Sequence, residues 1–262
     1  MSAVYRFGAG LADTGREFGE LGMNGRLFQR VLHLLLPTSC ALCGAGSDET
    51  LCTACVAQFF GEAARVPRCH CCANPVVGGA ALCGHCIRQR PAFDRTVVAA
   101  DYALPVDQLV LQLKFGHRLA LAALMARRLA VVAAQVTAPQ DALPDLLCPV
   151  PLGPHRLAQR GYNQALEIAR PLARSLGLAL YPRLVARIRD TAAQSSVAPE
   201  HRRANIAGAF AVARPALIRG RHIGVVDDVM TSGGTLDEMA ATLKRHGAAR
   251  VSNLVFARTP PH

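Results

Sequence analysis

The stretch Val225–Thr235 reads VVDDVMTSGGT: an apolar run, two adjacent aspartates, then a loop of hydroxyls and glycines. His222 to Asp228 has the apolar character of a buried strand. Its two carboxylates stand at the C-terminal end, where open α/β sheets bind ligands. Downstream, Leu236, Met239, Ala240 and Leu243 recur at helical spacing and Gly247 offers a stop. Thr235, followed three residues later by Glu238, predicts a capping box at the helix start. Thr231, Ser232, Gly233, Gly234 and Thr235 then lie at a helix N-terminus, where free N–H groups and the helix dipole favour a phosphate and glycine permits close approach.

Asp227 and Asp228 beside the same phosphate would repel it unless something stands between. A ribose diol does so by donating hydrogen bonds to the carboxylates. A sugar phosphate therefore accounts for both halves of the stretch, and magnesium on a diphosphate would offset the acid further. A capped turn after a strand explains Thr235 and Glu238 but not adjacent aspartates. The sequence contains no Gly-x-x-x-x-Gly-Lys-Ser/Thr, which argues against a P-loop NTPase.

Working outward, FDRTVVAADY, DLLCPV, LVARI and VSNLVFA join IGVVD as apolar strand candidates. Helical patterns separate them at Val106–Lys114, Arg118–Val136, Asn163–Gly177 and Thr235–Gly247, with a polar linker, TAPQDALP. Strands alternating with helices predict an α/β fold, an open parallel sheet flanked by helices. Pro171 is expected to kink or interrupt its helix. We place the domain boundaries at 1–26 for a mobile N-terminal extension, 27–90 for a cysteine-rich module opening with a short helix at Leu27–Leu36, and 91–262 for the α/β domain.

At 262 residues and 51% hydrophobic, the chain can bury a real core. Its formal charge of +11, with a pI near 9.6, points to anionic partners. Only Lys114 and Lys244 are lysines, so the arginine excess reads equally as a phosphate-binding surface or as compositional bias. No apolar run near the N-terminus approaches the roughly 20 residues of a membrane span.

The cysteines carry the second strong signal. Cys40-x2-Cys43, eight residues, Cys52-x2-Cys55 is followed by Cys69-x2-Cys72, ten residues, Cys83-x2-Cys86. Each Cys-x-x-Cys knuckle can offer two thiolates and two knuckles complete a tetrahedral zinc site, whereas a redox dithiol would not need four pairs. Consecutive pairing makes two zinc ribbons and interleaved pairing a cross-brace; we expect the ribbons. Cys148 reads as a small buried apolar residue, Cys71 as a bystander, and His70 as a reserve ligand. With no secretory leader visible, zinc in a reducing cytoplasm is expected rather than a disulfide scaffold.

Three further stretches accompany the Asp-Asp loop: PVPLGPHRLAQRGYNQA at Pro149–Ala165, DTAAQSSVAPEHRRANIAGAF at Asp190–Phe210 and LKFGHRLALA at Leu113–Ala122. The Asp-Asp loop resembles the phosphoribosyl diphosphate (PRPP) signature of type I phosphoribosyltransferases. Together with the preceding cysteine module, these stretches resemble the ComF competence-protein family. The resemblance spans about residues 30 to 259. It implies a PRPP site with Asp227 and Asp228 on the ribose hydroxyls and Thr231 to Thr235 around the 5′-phosphate. It also implies a role in DNA uptake during natural transformation, beside other competence proteins.

His155, Arg156 and Arg160 follow the strand ending near Val150, where similar folds place a pyrophosphate loop; guanidinium forks suit that anion, and helix-end charge is the alternative. Asn163 opens the next helix as its N-cap. Asp190–Arg203 is either a lid over substrate or an ordinary loop. Lys114 is either a contact for an acidic ligand or nucleic acid, or a solvated lysine. An enzyme of this kind would displace pyrophosphate from C1 of PRPP, with Asp227, Asp228 and Arg160 as the catalytic set, Arg156 on the cofactor, and magnesium beside them. The sequence names no acceptor. The rival class is a non-catalytic binding protein whose zinc ribbons and basic surface hold single-stranded DNA, although four tyrosines, nine phenylalanines and no tryptophan leave few stacking platforms.

Overall fold

The computed structural model describes residues 39–62, 66–135, 142–189 and 206–260. The expected N-terminal extension, the helix at Leu27–Leu36 and the segment Asp190–Arg203 lie outside the described residues. Strands β1 (Arg95–Asp101), β2 (Leu146–Pro149), β3 (Ala179–Leu180), β6 (His222–Met230) and β7 (Arg250–Arg258) form one parallel sheet in the order β1-β7-β6-β2-β3. The LVARI segment is a strand, β4 (Val185–Arg187), but it does not join this sheet. It pairs antiparallel with β5 (Phe210–Val212) in a separate two-stranded ribbon. The antiparallel partner satisfies the backbone groups of β4 locally.

Alternation along the strands builds two cores. Val225, Val251 and Val255 join one apolar layer with Leu236, Met239 and Leu243 of helix α7 (Gly234–Arg245). Val226, Leu254 and Phe256 join the other, with α3 (Val106–Phe115), α4 (Ala120–Ala134) and α6 (Gln164–Leu176). Strand residues buried on both faces are what a parallel sheet covered by helices demands.

The helix at α6 starts on Asn163, whose side chain accepts from Ala165 N at 3.0 Å and whose Nδ2 donates to Val150 O at 2.9 Å. It ends on left-handed Gly177. Pro171 does not interrupt the element: the helix runs through it. Burial of Ile168, Ala169, Leu172 and Ala173 holds the helix across the one ladder bond that proline removes. No helix among the described residues is long and apolar enough to cross a membrane.

Close approach of the central strands requires glycine at one position. A Cβ on Gly224 would lie 2.4 Å from Leu147 Cδ2 and 2.8 Å from Pro144 Cγ. We therefore expect Gly224→Ala to cost about 1–3 kcal/mol through overpacking, read as a lower urea midpoint at unchanged slope.

Candidate functional site

Strand β6 continues two residues past Asp228, to Met230, and carries both aspartates near its C-terminal end. Asp227 Oδ1 accepts from the Asp228 N–H at 2.9 Å. Thr231 and Ser232 are exposed, Gly233 and Gly234 are buried, and α7 begins at Gly234. Gly233 takes the left-handed conformation (φ 85°) as the helix cap, and a Cβ there would lie 2.6 Å from Met230 Cε. The first N–H groups of α7 thus open toward the segment that follows the acid pair.

The expected capping box is not formed. Because the helix starts one residue earlier than Thr235, Glu238 falls in its second turn. There its Oε1 accepts from Gly208 N at 3.1 Å, Thr242 Oγ1 at 3.3 Å and Arg245 Nη2 at 3.0 Å. Glu238 therefore braces α7 against the segment entering β5 instead of closing its N-terminus.

The acid pair has a counter-ion from its own chain. Lys114, in the last turn of α3, places Nζ 2.7 Å from Asp228 Oδ2, and Asp228 is buried. Neither sequence expectation for Lys114, an external acidic ligand or a solvated side chain, describes this partner. Burial works against the Lys114 ammonium, but the carboxylates of Asp228 and Asp227 outweigh it and raise its pKa. Desolvation and then the neighbouring Asp228 charge push the Asp227 carboxyl well above the usual carboxylate range, with Lys114 and the Asp228 N–H pulling the other way.

Around this ion pair the LKFGHR and RGYNQ stretches meet. The Tyr162 hydroxyl donates to the carbonyl of Leu113, the residue before Lys114, and its ring meets His117 edge-on at 5.7 Å. Helix α5 (Pro154–Arg160) ends on left-handed Gly161 and carries Arg156 and Arg160 one turn apart. The Arg160 guanidinium lies over the Phe115 ring, 5.1 Å from its centroid, and its charge opposes protonation of Lys114. Arg160 thus neighbours Lys114, the counter-ion of the acid pair, while Arg156 stands half-buried on the same helix.

The thiols form two clusters by consecutive pairing, Cys40/Cys43/Cys52/Cys55 and Cys69/Cys72/Cys83/Cys86, each with all Sγ atoms within 4.8 Å of one another. A Zn–S bond of about 2.3 Å implies a tetrahedral edge of about 3.8 Å. The Cys43–Cys52 and Cys72–Cys83 separations are 3.7 and 3.5 Å, so these soft donor sets fit zinc. The knuckles are built alike: Cys40 N donates to Ala45 O and Cys69 N to Asn74 O, both at 2.7 Å. Gly44 and Ala73 occupy the matching left-handed turn position. Each ribbon then ends in a short helix, α1 (Thr53–Phe60) or α2 (Gly84–Arg88). His70 is not part of the second cluster. Cys71 donates to Phe93 O at 3.6 Å, and buried Cys148 has its thiol pushed up to about 12 by desolvation.

A double zinc ribbon beside a parallel sheet of this order defines a two-part protein class. Residues 31–91 match the double zinc ribbon domain family and residues 163–261 the phosphoribosyl transferase domain family. The chain is 36% identical to DNA utilization protein YhgH of Salmonella typhimurium (strain LT2), over 86% of this chain and 99% of that one. It is 32% identical to Competence protein F of Haemophilus influenzae (strain Rd), over 79% and 90% respectively. Adenine phosphoribosyltransferase of Thermoanaerobacter pseudethanolicus aligns over 53% of this chain and 82% of its own at 14% identity and TM-score 0.33. The chain belongs to the ComF competence-protein family.

Two outcomes follow from the site. Metal analysis should find two zinc ions per chain, falling to one in Cys83→Ser. Lys114→Met leaves Asp228 without its counter-charge, and about 2–3 kcal/mol of stability should be lost at neutral pH. That loss should shrink on acidification, because Asp227, whose proton is bound more tightly than usual, becomes neutral and no longer repels Asp228; denaturant titrations of both chains across pH check the sign.

Proposed function

We propose that the protein binds PRPP and serves the handling of incoming DNA in the cytoplasm. In this reading residues 27–90 form the zinc-ribbon module and residues 91–262 the transferase-like domain. The ribose diol lies on Asp227 and Asp228, the 5′-phosphate at Thr231–Thr235, and the diphosphate toward Arg156 and Arg160. One observation carries the reading: an acid pair, its charge partly offset by Lys114, stands just before a left-handed glycine at a helix N-terminus. The names of the relatives, DNA utilization protein and Competence protein F, supply the biological setting.

As a transferase, the protein would let an acceptor nucleophile bond to C1 of the ribose while the C1–oxygen bond to the diphosphate breaks. The electron pair leaves with diphosphate. Asp227 and Asp228 orient the sugar through its hydroxyls, and the Arg160 guanidinium offers charge and a planar donor fork to the departing anion. Magnesium, when bound with the diphosphate, would supply further neutralisation, and Asp227 and Asp228 are the residues that would hold it or its waters. Diol recognition needs ionised carboxylates, so affinity should fall on acidification from a pH above the usual carboxylate range, following Asp227.

A second reading, a non-catalytic protein that grips single-stranded DNA and uses the PRPP site for sensing or scaffolding, is favoured by the +11 formal charge. Calorimetry on the zinc-loaded chain with PRPP and magnesium is the test. Wild type should bind, Asp227→Asn/Asp228→Asn should weaken binding by about a hundredfold, and Thr231→Ala should weaken it by less. Wild-type binding with PRPP- and acceptor-dependent pyrophosphate release would establish transfer. Silence at millimolar PRPP, with DNA affinity falling steeply in salt, would replace this reading with the second.

A further inference from the structure

We propose that Arg258 is a positioning residue that ties the second zinc ribbon to the loop at Thr231–Gly234, so that metal on one side and loop order on the other support each other.

Arg258 is the last residue of β7 and pairs in register with Met230, the last residue of β6. Its side chain is buried, at 6% exposure, and its guanidinium spreads over carbonyls from three directions. Nε donates to Cys72 O at 3.1 Å, inside a metal-binding knuckle. Nη1 donates to Met230 O at 3.1 Å, to Thr231 O, and to Thr259 O at 2.8 Å. One rigid planar fork thus spans the ribbon and the first residue of the loop, which a point-like ammonium would not do.

The charge arrangement points the same way. No carboxylate pairs with Arg258 among the described residues. A zinc ion held by four thiolates carries a net charge of about −2, and this centre, through Cys72, adjoins the buried guanidinium. Occupied zinc therefore supplies the counter-charge that keeps Arg258 in place.

Packing extends the contact. Cys69, Cys71, Cys72, Cys86 and Phe93 share an apolar cluster with Met230 and Leu236. A cavity of about 30 Å³ is lined by His85 and Cys86 of the ribbon together with Ser232 and Gly233 of the loop. A second strap holds the same knuckle: Arg68 donates to Ala73 O at 3.1 Å and pairs with Asp101 at the end of β1 at 2.9 Å.

The first ribbon is a built-in control. It has the same donor set, yet Cys40, Leu51 and Cys55 pack with α3, α4 and Phe256 in the other core. Loss of its metal removes nothing that touches Arg258.

Hydrogen exchange by mass spectrometry on the full zinc-loaded chain, reading the amides of residues 231–234, tests the strut without any ligand. Exchange should quicken about tenfold in Arg258→Met and in Cys83→Ser, within the ordinary range of coupling between sites. Arg258→Lys should recover part of the protection, Cys43→Ser should match wild type, and the amides of 251–256 should be unchanged throughout. Equal loop exchange in wild type, Arg258→Met and Cys83→Ser, or an equal rise in Cys43→Ser, would overturn the proposal. Should Arg258→Met fail to fold, Arg258→Lys and Cys83→Ser decide.

A ligand arm rests on the PRPP reading above. PRPP with magnesium should slow zinc loss to a chelator from the second ribbon of wild type, and slow it less in Arg258→Lys. If wild type binds no PRPP, that reading falls while the exchange experiment still judges the strut.

Discussion

Parallel pairing of β6 with β7, in register from His222 opposite Arg250 to Met230 opposite Arg258, is the constraint on which the rest of the molecule depends. A parallel ladder brings the C-terminal ends of both strands to one edge. On β6 that edge carries the acid pair and the glycine loop; on β7 it carries Arg258. Gly224 lets the neighbouring strand and its flanking residues close on the middle of this ladder without a Cβ in the way. Slippage by one residue would invert the faces on which Val225 and Val226 pack, so burial on both sides holds the register.

Charge is managed within the fold. Two adjacent carboxylates on a buried strand are costly unless something positive approaches, and Lys114 does so from a helix more than a hundred residues away in the chain. Burial, with Asp228 beside it, leaves Asp227 with a proton affinity above that of a free carboxyl, against the pull of Lys114. Tyr162 and the Arg160–Phe115 contact hold the end of that helix against the segment after β2. Three separate stretches are thereby drawn to one place by a single electrostatic need.

The two ribbons solve a different problem. Each is too small to bury much apolar area, and a structural zinc site can supply on the order of 10 kcal/mol of apparent folding free energy. Both also lend cysteines and aliphatic side chains to the main cores, one ribbon to each layer. The ribbons are therefore part of how the sheet is covered, not an appendage to it.

The sequence by itself determined the parts whose physics is local. Thiolate spacing within each knuckle, the strand–loop–helix run at Val225–Thr235 and the N-cap at Asn163 depend on residues close together in the chain. Where it misled, a local signal met a tertiary competitor. Glu238 had the spacing of a capping box and found Gly208 and Arg245 instead; Pro171 did not interrupt its helix, whose buried face carries the chain past it; LVARI looked like a sheet strand and took an antiparallel partner outside the sheet. Consecutive pairing of the knuckles, the Lys114–Asp228 ion pair and the span of Arg258 from Cys72 to Thr231 were decided only by the tertiary structure. Each joins groups that sequence separation leaves unrelated, and only packing brings a buried charge and its partner to within hydrogen-bond distance.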